Sequence, residues 1–356
     1  MSWVALRGAL DKDFAPNGLG RRGEAILFDA PMVRGSLLVD WRPDPGEAAQ
    51  PILTYRAQAP WDAGLCLSRE SDGPLRLRTW QGADVAEAHL PVGTIRPMED
   101  MAILYTWDAP ERAGRLRLLD RGGRLRAETA VAAPVPLSWR DAARIGRDTD
   151  LCTLGPGVGL AALADHVTPI GPWPGLAAET PVMTTRGRRP VSTLRTGDMV
   201  VTHGGQEAQV RWCASIGLPA RGALAPVLLR APFRGLTQDI VVAPWQDVAL
   251  SGSQVEYLFG ADRVRCAAGD LLDKTRRLPA DGLALHRFWN VLLDQPGMLL
   301  DVAGLPVLPL ALGPAGDLRH SVLGQMPPEL SPADRGGASL RPLDIHEVRG
   351  VLARRG

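Results

Sequence analysis

Short runs of apolar or alternating residues fill the first half of the chain and predict β-strands. They lie at 25–28, 35–41, 65–67, 75–80, 102–107, 114–119 and 125–129, with turn formers at 44–46, 71–73, 108–110 and 121–123. The alternation Leu75-Arg-Leu-Arg78 places leucines on a core and arginines in water, and we expect the same of Leu116-Arg-Leu118. Many short strands at this spacing predict a jelly-roll-like β-sandwich over residues 1–150.

The pattern fades over 151–171, where turn formers cluster, so we interpret this stretch as a linker with at most one short helix near 160–164. Strand-like runs return at 181–185, 199–202, 209–212, 225–230, 239–242, 264–266 and 298–302. Near the end, apolar residues at helical spacing predict a short C-terminal helix within 343–353. The chain as a whole is therefore predicted to be all-β.

Composition adds limits to this picture. The chain has 356 residues, 45% of them hydrophobic and 22% charged, which suits about two globular domains. Its net charge of +1 gives no electrostatic footprint for nucleic acid. No apolar run approaches the ~20 residues of a membrane span, and the first residues show no apolar signal-peptide core. We therefore expect a cytoplasmic protein by default, with non-classical export left open.

Metal-binding spacings are missing from the sequence. No Cys-x-x-Cys pair links the four cysteines, which are Cys66, Cys152, Cys213 and Cys266. The six histidines show no His-x-x-x-His pair, and the aspartates of the first half form no compact calcium loop. We expect reduced, structural thiols and no metal or cofactor.

From Pro174 onward the sequence resembles the Hedgehog/intein (Hint) domain in its bacterial, alphaproteobacterial form. The resemblance rests on blocks in the family's order, at 174–202, 211–212, 235–250, 255–260 and 290–294. It implies a β-domain over 172–311, followed by a tail over 312–356 that packs on it.

The resemblance also implies a chemistry, which is self-cleavage. A first-position Cys or Ser attacks the preceding carbonyl, and a Thr/Ser-x-x-His unit supports the attack through its hydroxyl and imidazole. Here the first position falls on Gly175, and the Thr/Ser-x-x-His unit falls on Ala243 and Gln246. Two later family histidines fall on Asn290 and on Pro296-Gly297. Thr180 is the nearest remaining candidate nucleophile, and the resemblance implies a structural role as the alternative for this threonine.

The N-terminal half resembles a concanavalin/laminin-G-like sandwich, on the residues 35–43, 104–108 and 136–141. Such sandwiches often bind carbohydrate or protein. Five tryptophans of this half are candidates for a sugar-stacking surface or for the core, namely Trp41, Trp61, Trp80, Trp107 and Trp139.

Two functions follow from different classes. The favoured one is a non-catalytic binding or structural protein, whose unknown protein or carbohydrate ligand is held by the N-terminal sandwich. The alternative is an autoprocessing protein that uses a non-standard nucleophile near Gly175. Neither reading includes a nucleic-acid partner or a membrane span.

Overall fold

The computed structural model describes residues 2–8, 12–19, 28–43, 49–71, 73–93, 100–271, 275–277, 285–311, 320–330 and 340–352. The chain divides into two compact units. The first comprises residues 1–170, 219–223 and 282–285, and the second comprises 171–218, 224–281 and 286–356.

The first unit is a β-sandwich, as predicted. Its strands are β1 (Trp3–Gly8), β2 (Lys12–Phe14), β3 (Arg34–Trp41), β4 (Gln50–Ala57), β5 (Ala63–Arg69), β6 (Leu75–Gln81), β7 (Asp84–Leu90), β8 (Met101–Asp108), β9 (Ala113–Asp120), β10 (Leu125–Ala132), β11 (Cys152–Leu154) and β12 (Val158–Ala164). One sheet has the order β10-β9-β8-β3-β12-β1-β2 and the other β11-β4-β5-β6-β7. The predicted strand residues 25–27 and the predicted turn 44–46 lie outside the described residues.

The leucine and arginine alternation of β6 is confirmed. Leu75 and Leu77 are fully buried, whereas Arg78 is exposed on the outer face of the sheet. Each buried leucine contributes about 1.5–3 kcal/mol of hydrophobic stabilisation. The expectation for β9 was wrong, because Arg117 is 1% exposed and pairs with Glu128 at 2.5 Å. An arginine in a strand is tolerated at such burial because a carboxylate neutralises it.

Two of the five candidate tryptophans belong to the core and not to a surface. Trp41 and Trp107 are fully buried, and the Trp107 indole donates a hydrogen bond to the Met32 carbonyl at 2.7 Å. Trp139 is partly buried against the same core. Trp61 is exposed, and Trp80 is half-buried on the outer face of its sheet. The five tryptophans therefore do not form one stacking surface.

Helix α1 (Trp139–Arg147) follows the last strand of the first half, where the sequence pattern indicated no helix. Its start is fixed by a capping box, in which Ser138 Oγ accepts from the Asp141 N–H and Asp141 Oδ2 accepts from the Ser138 N–H. The Tyr55 hydroxyl donates to Asp141 Oδ1 at 2.6 Å and so ties the helix to β4.

The linker prediction for 151–171 was wrong. β11 pairs with β4, and β12 lies between β3 and β1, so both complete the sandwich. The helix suggested near 160–164 is part of β12, whose residues Leu160–Ala164 are all buried. A central strand buried on both faces shows an unbroken apolar run, which periodicity cannot distinguish from a helix. The first unit therefore extends to residue 170 rather than 150.

The second unit is also built from strands. They are β13 (Leu176–Ala177), β14 (Pro181–Thr184), β15 (Gly187–Pro190), β16 (Met199–Val201), β17 (Glu207–Pro219), β18 (Val227–Leu229), β19 (Ile240–Val242), β20 (Asp247–Ser251), β21 (Arg263–Ala267), β22 (Thr275–Arg277), β23 (Leu285–Leu293), β24 (Leu300–Val302), β25 (Leu305–Val307) and β26 (Arg341–Pro342). In the described part they form one continuous ladder, which runs β22-β18-β19-β13-β23-β17-β16-β14-β24-β25-β20-β21-β26 with β15 beside β14.

Two short helices complete this unit, α2 (Ser253–Phe259) and α3 (Ile345–Leu352). Val348 and Val351 of α3 are fully buried in the core of the second unit, and β26 pairs in parallel with β21. The predicted C-terminal helix is thus present. None of the helices in the described ranges has the length and apolarity needed to cross a membrane.

We predict that a fragment of residues 1–150 does not fold cooperatively, whereas residues 1–170 do. The shorter fragment lacks β12 and leaves β1 and β3 without the strand between them, so buried backbone groups lose their partners. Urea unfolding followed by tryptophan fluorescence measures this. A cooperative transition of 1–150 with the midpoint of 1–170 would contradict the placement of β12.

Candidate functional site

Three segments of the second unit meet because β13 is hydrogen-bonded on both sides. Leu176 of β13 pairs with Val242 of β19 and with Trp289 of β23. Gly175 immediately precedes β13, the segment 243–246 follows β19, and Asn290 lies next to Trp289. The sheet therefore brings together four positions that are far apart in sequence and that the Hint resemblance implies, namely Gly175, Ala243, Gln246 and Asn290.

Gly175 and Gln246 approach each other so closely that no side chain fits at position 175. A Cβ built on Gly175 would lie 2.7 Å from Gln246 Oε1, 2.8 Å from its Cβ and 3.2 Å from its Cα. The last two atoms belong to the rigid base of the residue and cannot swing aside. Gln246 therefore occupies the space into which a side chain of residue 175 would project.

The Gln246 side chain is held by a network of amides and carbonyls. Its Nε2 donates to the carbonyls of Asp247 and Leu308, each at 3.0 Å, and its Oε1 accepts from Asn290 Nδ2 at 3.1 Å. Asn290 Oδ1 in turn accepts from the Val291 N–H at 2.8 Å. Gln246 and Asn290 are 4% and 3% exposed. All members are neutral amides, so the network has no proton to transfer near neutral pH.

Two donors point at the carbonyls around the Pro174–Gly175 bond. The Ala243 N–H donates to the Gly175 carbonyl at 2.7 Å. The Trp245 indole N–H is shared between the carbonyls of Trp173 and Pro174, at 3.2 Å each. These are the kind of donors that stabilise a developing oxyanion during acyl transfer. Sequence reasoning missed Trp245, which stands inside the degenerate Thr/Ser-x-x-His segment and could have been found there.

An aromatic stack encloses this junction. The Trp173 and Trp245 rings meet edge to face with centroids 5.6 Å apart, and the Trp245 and Phe288 rings do so at 5.2 Å. Both tryptophans are buried, and Phe288 is fully so. Such pairs add about 0.5–1.5 kcal/mol beyond their area burial, so the stack fixes the indole that faces the junction.

The remaining candidate positions do not join this cluster, because the Thr180 hydroxyl is already hydrogen-bonded and Pro296-Gly297 lies in a separate turn. The Thr180 hydroxyl donates to the Val241 carbonyl at 3.1 Å, and a backbone carbonyl is no general base. The Pro296-Gly297 position lies in an exposed turn after β23. The structure thus unites Gly175, Ala243, Gln246 and Asn290, whereas Pro296-Gly297 stays in solvent.

Cys213 and His286 are titratable side chains elsewhere in the second unit, and each is poorly suited to act as a nucleophile or proton carrier at Gly175. The Cys213 thiol donates to the Leu194 carbonyl at 3.3 Å, and burial raises its pKa to about 11. It is therefore protonated at neutral pH and a weak nucleophile. Burial lowers the pKa of His286, whose ring packs against Phe288 with centroids 4.7 Å apart. Phe288 separates it along β23 from Asn290. Within the described ranges, no three metal-ligating side chains cluster.

Comparison with known proteins identifies the second unit. Residues 174–307 match the family model described as the Hint domain, which confirms the sequence prediction. Among solved structures, the MchDnaB-1 intein is similar, with 18% identity, 38% of this chain and 99% of that chain covered, and a TM-score of 0.25. No curated protein sequence matches the chain.

Two further solved structures are sialidases or parts of them. The CBM40 of a Ruminococcus gnavus IT-sialidase, bound to sialyllactose, has 11% identity, covers 37% of this chain and 75% of its own, and has a TM-score of 0.26. The NanB sialidase of Streptococcus pneumoniae has 9% identity, with 62% of this chain and 34% of that chain covered, and a TM-score of 0.29. The concanavalin/laminin-G character of the first unit stays a prediction.

We predict that Gly175→Ala destabilises the protein by about 1–3 kcal/mol, because the added methyl group overlaps the Cα and Cβ of Gln246. The matched control is Gly93→Ala, where an added Cβ meets no atom within 4 Å and where we expect a change within about 0.5 kcal/mol. Urea unfolding measures both. Equal stability of the two variants would show that position 175 has room for a side chain.

Proposed function

We propose that the Hint domain formed by residues 174–307 no longer processes the chain and serves as a structural module beside a ligand-binding sandwich. The observation that carries this proposal is the Gln246 side chain, which fills the place of the nucleophile and substitutes an amide for the imidazole.

Self-cleavage at this junction needs three functions at one bond. The attacking group would have to project from residue 175, which is glycine, into space that Gln246 fills. The proton carrier would have to titrate near neutral pH, and neither Gln246 nor Asn290 does. Only the third function, hydrogen bonding to the carbonyls, is present, through Trp245 and the Ala243 N–H. Polarisation without a nucleophile does not break a peptide bond.

The retained donors have a structural role of their own. Buried carbonyls must be paired, and those of residues 173, 174 and 175 are paired by these donors. Trp245 and the aromatic stack thus anchor the start of the domain to the segment after β19. This anchoring accounts for the donors without catalysis.

The first unit is the ligand-binding part of this proposal, with a carbohydrate as the ligand class. Its support is the outer face of the β11-β4-β5-β6-β7 sheet, where Trp80 is half-buried, and the nearby Trp61, which is 37% exposed. Tryptophan combines an apolar ring face with a polar edge, which suits the apolar face of a sugar ring.

The processing half of the proposal is tested by intact-mass spectrometry of the full chain, kept for days with and without thiol or hydroxylamine. We expect one species at 38.2 kDa under all conditions. Fragments that meet at residue 175 would overturn the proposal and favour autoprocessing. Loss of those fragments in Thr180→Val or Cys213→Ala would then identify the nucleophile.

A reversal variant sharpens this test. Gly175→Cys/Ala243→Thr/Gln246→His supplies the nucleophile, hydroxyl and imidazole of the family. We still expect no cleavage. A Cβ at position 175 would lie 2.8 Å from the Cβ of residue 246, and this clash is the same for histidine as for glutamine at position 246. Thiol-dependent cleavage of this variant would contradict the steric part of the proposal, since it requires the two segments to separate.

A further inference from the structure

The outer face of the five-stranded sheet carries an aromatic platform built on a glycine. Gly64 of β5 lies opposite Trp80 of β6, and a Cβ at Gly64 would be only 2.1 Å from the nearest ring atom. The indole therefore lies directly on the backbone of the neighbouring strand. Its other surface is turned away from the sheet, consistent with its intermediate exposure.

The guanidinium groups of two arginines lie over this indole. The Cζ atoms of Arg56 and Arg78 lie 6.0 Å and 5.6 Å from the ring centroid of Trp80, within the range of cation–π contact. Arg56, Gly64, Trp80 and Val85 form one cross-strand row over four adjacent strands. We name Arg56, Gly64, Arg78, Trp80 and Val85 the Trp80 patch. Both arginines are exposed, and Val85 is 51% exposed.

The two guanidinium groups have no carboxylate partner within the described part of the chain. The carboxylate nearest in register is Glu87, which lies opposite Arg78. Its Oε1, however, contacts Arg76 Nη2 at 2.8 Å and His89 Nε2 at 3.0 Å. Glu70 also contacts both Arg76 and His89, at 3.6 Å and 3.5 Å. Glu70 and Glu87 are thus paired with Arg76 and His89. Within the described residues, Arg56 and Arg78 of the Trp80 patch have no such carboxylate partner.

We propose that the Trp80 patch binds the carboxylate-bearing sugar units of an acidic carbohydrate. This rests on the proposed carbohydrate binding by the first unit and names its site and ligand class. The apolar face of the sugar ring stacks on Trp80, and its carboxylate accepts hydrogen bonds from Arg56 or Arg78, whose planar guanidinium groups fit a carboxylate in bidentate fashion.

A nucleic acid fits the same surface less well. A long polyanion needs many phosphate contacts, and the Trp80 patch offers two guanidinium groups, those of Arg56 and Arg78, that have no carboxylate partner among the described residues. The neighbouring Arg76 is already paired with Glu70 and Glu87, so the described residues of this face form no longer basic track for a strand of phosphates. A ligand with single, separated carboxylates matches the distribution of charge.

The test measures binding of the full chain to galacturonate and hyaluronan oligosaccharides and to the same oligosaccharides after reduction of their carboxyl groups. Isothermal titration calorimetry and quenching of tryptophan fluorescence are the readouts. We expect at least tenfold weaker binding of the reduced forms. Arg56→Gln and Arg78→Gln should each weaken binding of the acidic forms about tenfold.

Arg76→Gln is the matched control, because Arg76 lies two residues from Arg78 on the same face but is already paired with Glu87. We expect its affinity to stay within twofold of the unmodified chain. Thermal unfolding of all variants verifies that they are folded, as expected for exposed side chains.

The outcomes separate the two proposals. If neither acidic nor reduced oligosaccharides bind, carbohydrate binding by the first unit is wrong, and this inference falls with it. If reduced forms bind as well as acidic ones, or if Arg76→Gln weakens binding as much as Arg78→Gln, carbohydrate binding stands but the Trp80 patch is not an acidic-sugar site. Tighter binding of a single-stranded oligonucleotide with the same dependence on Arg56 and Arg78 would overturn the ligand class.

Discussion

The close contact between Gly175 and Gln246 is the constraint on which the arrangement of β13, β19 and the Gln246 hydrogen bonds depends. β13 is hydrogen-bonded to β19 on one side and to β23 on the other. The residues before β13 and after β19 are therefore held in close contact. With hydrogen alone at position 175, the Gln246 side chain can enter and bond to Leu308 and Asn290. A primary amide suits this place because it both donates and accepts and remains neutral at any ordinary pH.

The same contact lies next to the hydrogen-bond donors around the Pro174–Gly175 bond. The Ala243 N–H and the Trp245 indole satisfy carbonyls that would otherwise be buried and unpaired, so the fold itself requires them. At positions 175 and 246 the chain has glycine and glutamine, so neither a Cys or Ser side chain nor an imidazole stands at these two positions beside the donors.

The first unit uses close contact with glycine in a different way. Gly35 lies opposite Trp107 and Gly64 opposite Trp80, and each glycine allows an indole to lie on the neighbouring strand. Trp107 is on the inner face and becomes part of the core, with its N–H bonded to Met32. Trp80 is on the outer face and is half-buried beside Arg56 and Arg78, for which the described part of the chain supplies no carboxylate partner. The face of the sheet on which a glycine–tryptophan pair lies thus decides whether its indole packs in the core or is accessible to solvent.

The sequence by itself determined the all-β class and the Hint domain, and it places glycine at 175 and glutamine at 246, because strand periodicity and residue chemistry are local properties. It could not place β12, since an alanine-rich central strand lacks alternation, nor bury Arg117, whose carboxylate partner lies on the neighbouring strand. The tertiary structure alone decided that Gln246 fills the space into which a side chain of residue 175 would project and that Trp245 faces the Pro174 carbonyl. It also placed Trp80, one of the five candidate tryptophans, within cation–π distance of Arg56 and Arg78. These are facts of distance between segments remote in sequence, and only the pairing of strands fixes such distances.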